Sequence, residues 1–144
     1  MHRRQILAAL PLLFVAGPVL ASEEPKKADT QYVDLSPVAL PIVVGGRLVN
    51  YVFCSLRVNL TPSADAAAIR TKEPRFRDAI VRAGHRTPFT LATDYTKVDE
   101  ARLKAVLLRE AIAIAGAKNI LSVTLTSQTP KQRSRLPRPA SATR

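Results

Sequence analysis

Gly45-Gly46 lies between two long apolar, β-branched segments, Val38 to Val44 and Arg47 to Leu60, and no other feature constrains the fold as tightly. Paired glycines supply the positive φ angles that a two-residue hairpin turn demands, so the two segments are predicted to pair as antiparallel strands. Pro41 lacks the amide hydrogen a central strand would use, which assigns the first segment to an edge or to a bulge. In the second, Val52, Cys54, Leu56, Val58 and Leu60 share one face at period two, with Ser55, Arg57 and Asn59 opposite. If the turn pairs Val44 with Arg47, Val38, Leu40 and Ile42 stand opposite Phe53, Tyr51 and Val49 on one face. Val43, Leu48, Val52 and Cys54 occupy the other, and both faces are apolar. Helices can cover one face of such a sheet, and the second must meet another layer or another protein. Val38, Leu40, Ile42, Val49, Tyr51 and Phe53 are therefore a candidate interface. A bulge at Pro41 is the alternative, since it shifts the register and restores a polar outer face.

The remaining elements complete an α+β order, a small antiparallel sheet with a hairpin and two main helices. Tyr32-Val33-Asp34-Leu35 is predicted as a short first strand ended by Ser36-Pro37. Thr61-Pro62 is placed as a helix N-cap with proline at the first position, and Ala64 to Ile69 carries the helix on. Pro74 kinks or restarts it, because proline removes a backbone hydrogen bond and disfavours helical geometry at Glu73. Beyond it Phe76, Ile80 and Ala83 fall on one side, with Arg75, Asp78, Arg82 and Arg86 along the other. Asp78 can bridge Arg75 and Arg82, leaving either a solvated charged face or a basic ridge for an acidic partner. Arg75, Arg82 and Arg86 are the candidate anion contacts. A second helix is expected from Thr96, with Thr96 and Asp99 at capping spacing, a buried stripe of Val98, Ala101, Ala105, Leu108, Ile112 and Ala115, and a stop at Gly116. The last strand, Asn119 to Thr126, alternates Leu121, Val123 and Leu125 inward.

His2-Arg3-Arg4 precedes an apolar run from Ile6 to Leu20 that Pro11, Gly17 and Pro18 interrupt. A spanning helix needs about 20 apolar residues, so residues 1–21 read as a signal peptide cleaved before Ser22, with Val19 and Ala21 at the recognition positions. An uncleaved inner-membrane anchor is the rival reading. Arg3-Arg4-Gln5-Ile6-Leu7 also resembles a twin-arginine signal, with Ile6 where a phenylalanine is more usual, so the chain is expected in the periplasm by the Sec or the Tat route. Residues 22–30 form a tether, 31–128 the α+β domain, and 129–144 a basic, disordered tail. Losing Arg3 and Arg4 leaves 20 basic against 11 acidic side chains, a net charge of +9. The tail carries Lys131, Arg133, Arg135, Arg138 and Arg144 without an acid, suited either to solubility or to peripheral contact with an anionic membrane surface. No aromatic is interleaved with these arginines to stack a base, which speaks against nucleic acid as a partner.

Catalytic signatures do not emerge. Cys54 is the sole cysteine, so neither an internal disulfide nor a thiolate metal cluster can form, and its apolar strand face makes it a small buried hydrophobe. His85 is the one histidine after residue 21 and its neighbours are cationic, the reverse of a metal-binding environment. Gly45-Gly46 lacks the helix and lysine of a phosphate loop, and no nucleophile elbow occurs. No cofactor and no metal are expected, and binding ranks above enzymatic activity.

The run Glu73-Pro74-Arg75-Phe76-Arg77-Asp78-Ala79-Ile80-Val81, the helix ending at Gly116 and the strand Leu121-Ser122-Val123-Thr124-Leu125 with Gln128 just beyond resemble the periplasmic domain of FliL, the flagellar basal-body-associated family. In that family a proline followed by an arginine-aspartate pair opens the helix after the first strands, and a terminal strand closes near a glutamine. The resemblance runs from Tyr32 to Gln128. It implies a stomatin-like fold and a non-enzymatic envelope protein that assembles with itself, as a homo-oligomer, or with a component of the flagellar motor or stator. The family's uncleaved membrane helix and long linker are replaced here by the signal segment and a short tether. The reading from charge alone is different: a periplasmic binding module for an anionic ligand, with a pocket bordered by Arg75, Arg82 and Arg86.

Overall fold

A computed structural model describes residues 30–139. The expected signal segment 1–21, tether residues 22–29 and tail residues 140–144 lie outside the described residues. Two strands, β1 (Tyr32–Val44) and β2 (Arg47–Leu60), form the hairpin; helices α1 (Ala66–Arg70), α2 (Glu73–Arg86) and α3 (Glu100–Ala115) follow, and β3 (Ile120–Pro130) is the last regular element among the described residues. The sheet is antiparallel in the order β1-β2-β3, so β1 is an edge strand, as Pro41 requires. Gly45 and Gly46 take φ of 56° and 74°, the left-handed pair that the hairpin turn needs. This is the α+β arrangement that the element order implies, a small antiparallel sheet with two main helices.

The helices share one face of the sheet. α2 packs on β1 and on α3, while α3 packs on β3. Lys72, at the start of α2, donates through Nζ to the Ile114 carbonyl near the end of α3 at 3.3 Å, so the two helices run antiparallel. Beneath them Leu40, Ile42, Val52, Cys54, Leu56 and Val58 meet Phe76, Ile80, Leu103 and Leu107 in one core. Gly84 permits the closest approach: a Cβ there would stand 3.0 Å from Leu40 and 3.4 Å from Phe89.

The hairpin register differs from the regular one by a single residue. Val44 does pair with Arg47 and Val43 with Leu48, but Ile42 then pairs with Asn50, leaving Val49 as an extra residue on β2. Leu40 consequently faces Val52, and Val38 faces Cys54. A slip of one residue exchanges the faces, so Val38, Leu40 and Ile42 point into the core and are buried. Their expected membership of an exposed interface is corrected. The bulge lies beside Pro41, between Ile42 and Val43 rather than at the proline itself. A second bulge at Ser36-Pro37 kinks β1 without ending it, so the expected separate strand Tyr32 to Leu35 is continuous with the hairpin.

Both irregularities of this edge strand are fastened by side chains. The Ser36 amide donates to Glu73 Oε1 at 2.9 Å, and Thr90 Oγ1 both accepts from the Val43 amide and donates to the Val43 carbonyl at 3.0 Å. Backbone groups that a bulge removes from the ladder thus find partners on α2 and on the loop after it. The same contacts cover part of an edge that would otherwise invite strand addition.

Three helical details depart from the sequence reading. Asp65, not Thr61, caps α1 by accepting the Ala68 amide, while the Thr61 hydroxyl donates to the Lys118 carbonyl at 2.7 Å. α3 begins at Glu100 with Asp99 as its cap, since Thr96 is held in a local turn by the Asp94 carboxylate. Its buried stripe is Leu103, Leu107, Ala111 and Ala115, whereas Ala101, Ala105 and Ile112 face outward and Leu108 is half-buried. Val98 is buried as expected but precedes the helix. α2 starts at Glu73 with Pro74 in its first turn, and it buries Phe76, Ala79, Ile80 and Gly84.

The chain does not leave the domain at residue 128. Thr129 and Pro130 pair with Phe53 and Val52, the Lys131 amide donates to the Tyr51 carbonyl at 2.8 Å, and Leu136 packs against the core. Asn50 organises this end of the molecule. Only 4% exposed, its Nδ2 donates to the carbonyls of Tyr95 and Gln132 at 3.0 and 2.9 Å, and its Oδ1 accepts the Gln132 and Tyr51 amides. One buried side chain therefore ties β2, the loop before α3 and the segment after β3 together. In β3 a further bulge leaves Leu121 59% exposed and puts Ile120 in the core in its place, while Val123 is buried and Leu125 packs against the core as expected.

Candidate functional site

With the helices on one side, the opposite face of the sheet has no covering layer among the described residues. Its two ends differ in chemistry. Toward Asn59 it is polar and self-satisfied: Arg57 grips Asp34 through two bonds of 2.6 and 3.1 Å and lies 3.8 Å over the Tyr32 ring. The Asp34 contact, a hydrogen bond first and a charge attraction second, raises the Arg57 pKa further. Asn59 bonds the hydroxyls of Ser122 and Thr124 at 2.9 and 3.0 Å, crossing from β2 to β3. Toward the hairpin the same face is apolar, with Phe53 opposite Ala39 and Tyr51 opposite Pro41. Phe53 is 45% exposed and Tyr51 half-buried. Of the six residues expected at an interface, Tyr51 and Phe53 occupy this face, while Val49 is half-buried against the core.

The arginines of α2 do not act as one ridge. Arg82 pairs with Asp78 at 2.8 Å and Arg77 with Glu73 at 3.9 Å; no ion pair joins Asp78 to Arg75 among the described residues. The pocket that Arg86 lines does not include Arg75 or Arg82. Arg86 instead joins Arg102 and Arg109 around a cleft of about 240 Å³ between α2 and α3, with Ala83, Thr87, Phe89 and Val106 as the other walls. Ala83, Arg86 and Thr87 lie one turn apart on α2 and its C-cap, and Arg102, Val106 and Arg109 repeat at helical spacing on α3. Phe89 reaches the cleft because the loop after α2 is pinned: its carbonyl accepts the Asp99 amide at 2.8 Å, and Thr90 bridges to Val98. The Arg102 guanidinium lies 5.8 Å from the Phe89 ring centroid. Linear reading could not find this site, since its cations come from two helices, although the Arg102/Arg109 spacing on α3 was available as a signal.

The remaining chemistry-bearing residues are accounted for structurally. Cys54 is fully buried, and burial pushes its thiol up to about 12, so the thiolate needed for nucleophilic or redox chemistry does not form at neutral pH. His85 is exposed and its Nδ1 lies 2.9 Å from the Val81 carbonyl. Asp94 is held below the usual carboxylate range chiefly by the Thr96 hydroxyl and then by the Thr96 amide. Gln128, the glutamine near the end of β3, accepts the Val98 amide through Oε1 at 3.0 Å and so fastens the loop before α3 to the sheet. No family model matches the chain, and no curated protein matches it.

Proposed function

We propose that this chain is a non-enzymatic assembly domain of the cell envelope, of the FliL type, exported to the periplasm and acting by contact with other copies of itself. The sheet face away from the helices carries the reading, because its hairpin end presents Phe53, 45% exposed, beside the half-buried Tyr51 and Ala39. Burying such a surface releases about 25 cal/mol per Å² of apolar area, which favours association over exposure. The family assignment is supported by the order of the elements, by Pro74 in the first turn of α2 ahead of Arg77-Asp78, and by Gln128 at the end of the final strand. Association with a component of the flagellar motor is the more specific form of the same proposal.

Replacing Tyr51 and Phe53 together by glutamate tests it. Light scattering should show a smaller particle than the parent chain, with unchanged circular dichroism. A parent chain that stays monomeric at high concentration and crosslinks to no envelope protein would sink the proposal. The export part has its own test, a mature amino terminus at Ser22 in periplasmic extracts. Recovery of the full-length chain in membranes would indicate the anchored form instead.

A further inference from the structure

We infer that the cleft between α2 and α3 is a second recognition site, which takes an acidic peptide segment of a protein partner by inserting one apolar side chain between carboxylates. It lies in the helix layer and not on the uncovered sheet face, so it stands or falls independently of the assembly reading. The first argument is charge. Arg86 and Arg102 make no salt bridge among the described residues, and Arg109 meets only its sequence neighbour Glu110 at 3.4 Å. Guanidinium forks match carboxylates two bonds at a time, and unpaired ones around a recess favour an acidic visitor. The protein's excess of basic over acidic side chains would also speed encounter with such a segment.

Size and floor select the kind of visitor. At about 240 Å³ the cleft is smaller than the roughly 300–1,000 Å³ of ordinary small-molecule sites, yet it accommodates a single leucine-sized side chain. Ala83, Val106 and the edge of Phe89 supply apolar contact that an inorganic anion would leave unused. A lipid headgroup would engage the arginines but has no apolar group at its own level to fill the recess. The walls are also preformed. Gly84 lets α2 settle against Phe89, and the Asp99 amide holds the Phe89 carbonyl, so binding orders the peptide without reorganising the domain.

The probe is a capped peptide with one leucine flanked by glutamates, titrated into the isotope-labelled full chain while amide shifts are followed. Shifts should cluster at Ala83, Arg86, Thr87, Arg102, Val106 and Arg109. The double substitution Arg86→Gln with Arg102→Gln should weaken binding roughly fivefold to tenfold, the range two exposed charge pairs give. Arg75→Gln with Arg82→Gln removes the same charge outside the cleft and should leave affinity within about twofold. Equal weakening by both pairs, or equal binding of a peptide with alanine in place of leucine, would overturn the inference by reducing it to unspecific attraction. So would release of the peptide by phosphatidylglycerol vesicles that themselves lose binding in the Arg86/Arg102 variant, since that pattern assigns the cleft to lipid. Circular dichroism of each variant confirms that the fold is retained.

Discussion

The two faces of this sheet are built from the same three strands, yet polar side chains do opposite work on them. On the helix-covered face Asn50 and Gln128 stand among Val52, Leu56 and Val58, and each directs its hydrogen bonds at irregular chain: Asn50 at residues 95 and 132, Gln128 at Val98. On the open face Asn59, Ser122 and Thr124 bond sideways to one another, and Arg57 bonds Asp34 on the neighbouring strand. Water can replace the second kind of bond more readily than the first, of which the Asn50 bond to Tyr95 is buried and the others are part-buried. Inner polar groups are therefore clamps whose loss leaves buried partners unsatisfied, while outer ones form a solvated ladder worth little each.

The comparison breaks first if the inner layer proves tolerant. Phe76→Ala should cost about 3–5 kcal/mol and Leu107→Ala about 2–5 kcal/mol, because both side chains are fully buried and leave cavities. Ile112→Ala, on the outward side of the same helix, should stay within about 1 kcal/mol. Urea unfolding of the three variants measures this. Similar losses for Leu107 and Ile112 would mean that α3 is rotated relative to the description above.

Next in size is the Asn50 clamp. Asn50→Ala strands the Gln132 amide and the Tyr95 carbonyl, at an expected cost of about 1–3 kcal/mol. Truncation after Gln128 removes part of the same network together with the β-pairing of Thr129 and Pro130. It should lower the melting temperature relative to a chain ending at Gln132. Combined with truncation, the Asn50 substitution should cost less than it does in the full chain, the non-additivity expected of shared partners. Strict additivity would show that the segment beyond β3 is held by something else.

A smaller effect appears only at high pH. The Cys54 thiol is pushed up to about 12 by burial, against an unfolded value of about 8.5. An acid whose folded pKa is raised contributes stability that is fully present below the unfolded value and is lost as pH rises toward the folded one. Stability should therefore decline from pH of about 8.5 upward, and Cys54→Val should flatten that decline. A thiol reagent that modifies the native protein at neutral pH would contradict the burial on which the argument rests.

What could be read in advance follows from how each element encodes itself. β2 was legible because Val52, Cys54, Leu56 and Val58 alternate strictly, and the hairpin because two glycines permit its turn. β1 was not: Ser36-Pro37 reads as a strand end where it is a bulge, and the extra residue at Val49 of β2 leaves no trace in an apolar run, yet it decides which face Leu40 occupies. In α3 two apolar stripes compete, Ala101-Ala105-Ile112 and Leu103-Leu107-Ala111, and only docking on the sheet selects between them. Asn50 carried a signal, because it extends the inward series of β2 by two residues, but its partners lie on segments remote in sequence. The arginine cleft was illegible for the same reason: helix-to-helix placement, and not spacing along one helix, brings Arg86 to Arg102 and Arg109.

The sharpest version of the comparison uses one substitution at two sites of one strand. Asn59→Ala removes bonds to Ser122 and Thr124, all of them half-buried or exposed on the open face, where water satisfies the freed hydroxyls. Its expected cost is below about 0.5 kcal/mol, the range of surface changes that strand nothing. Asn50→Ala removes the same amide from the inner face, where its partners are backbone groups of Tyr51, Tyr95 and Gln132. The two variants should separate in denaturant midpoint with no change in slope, because neither alters the surface exposed on unfolding. If Asn59→Ala proves as damaging as Asn50→Ala, the open face is buried in the working state of the protein, which would count in favour of assembly through it.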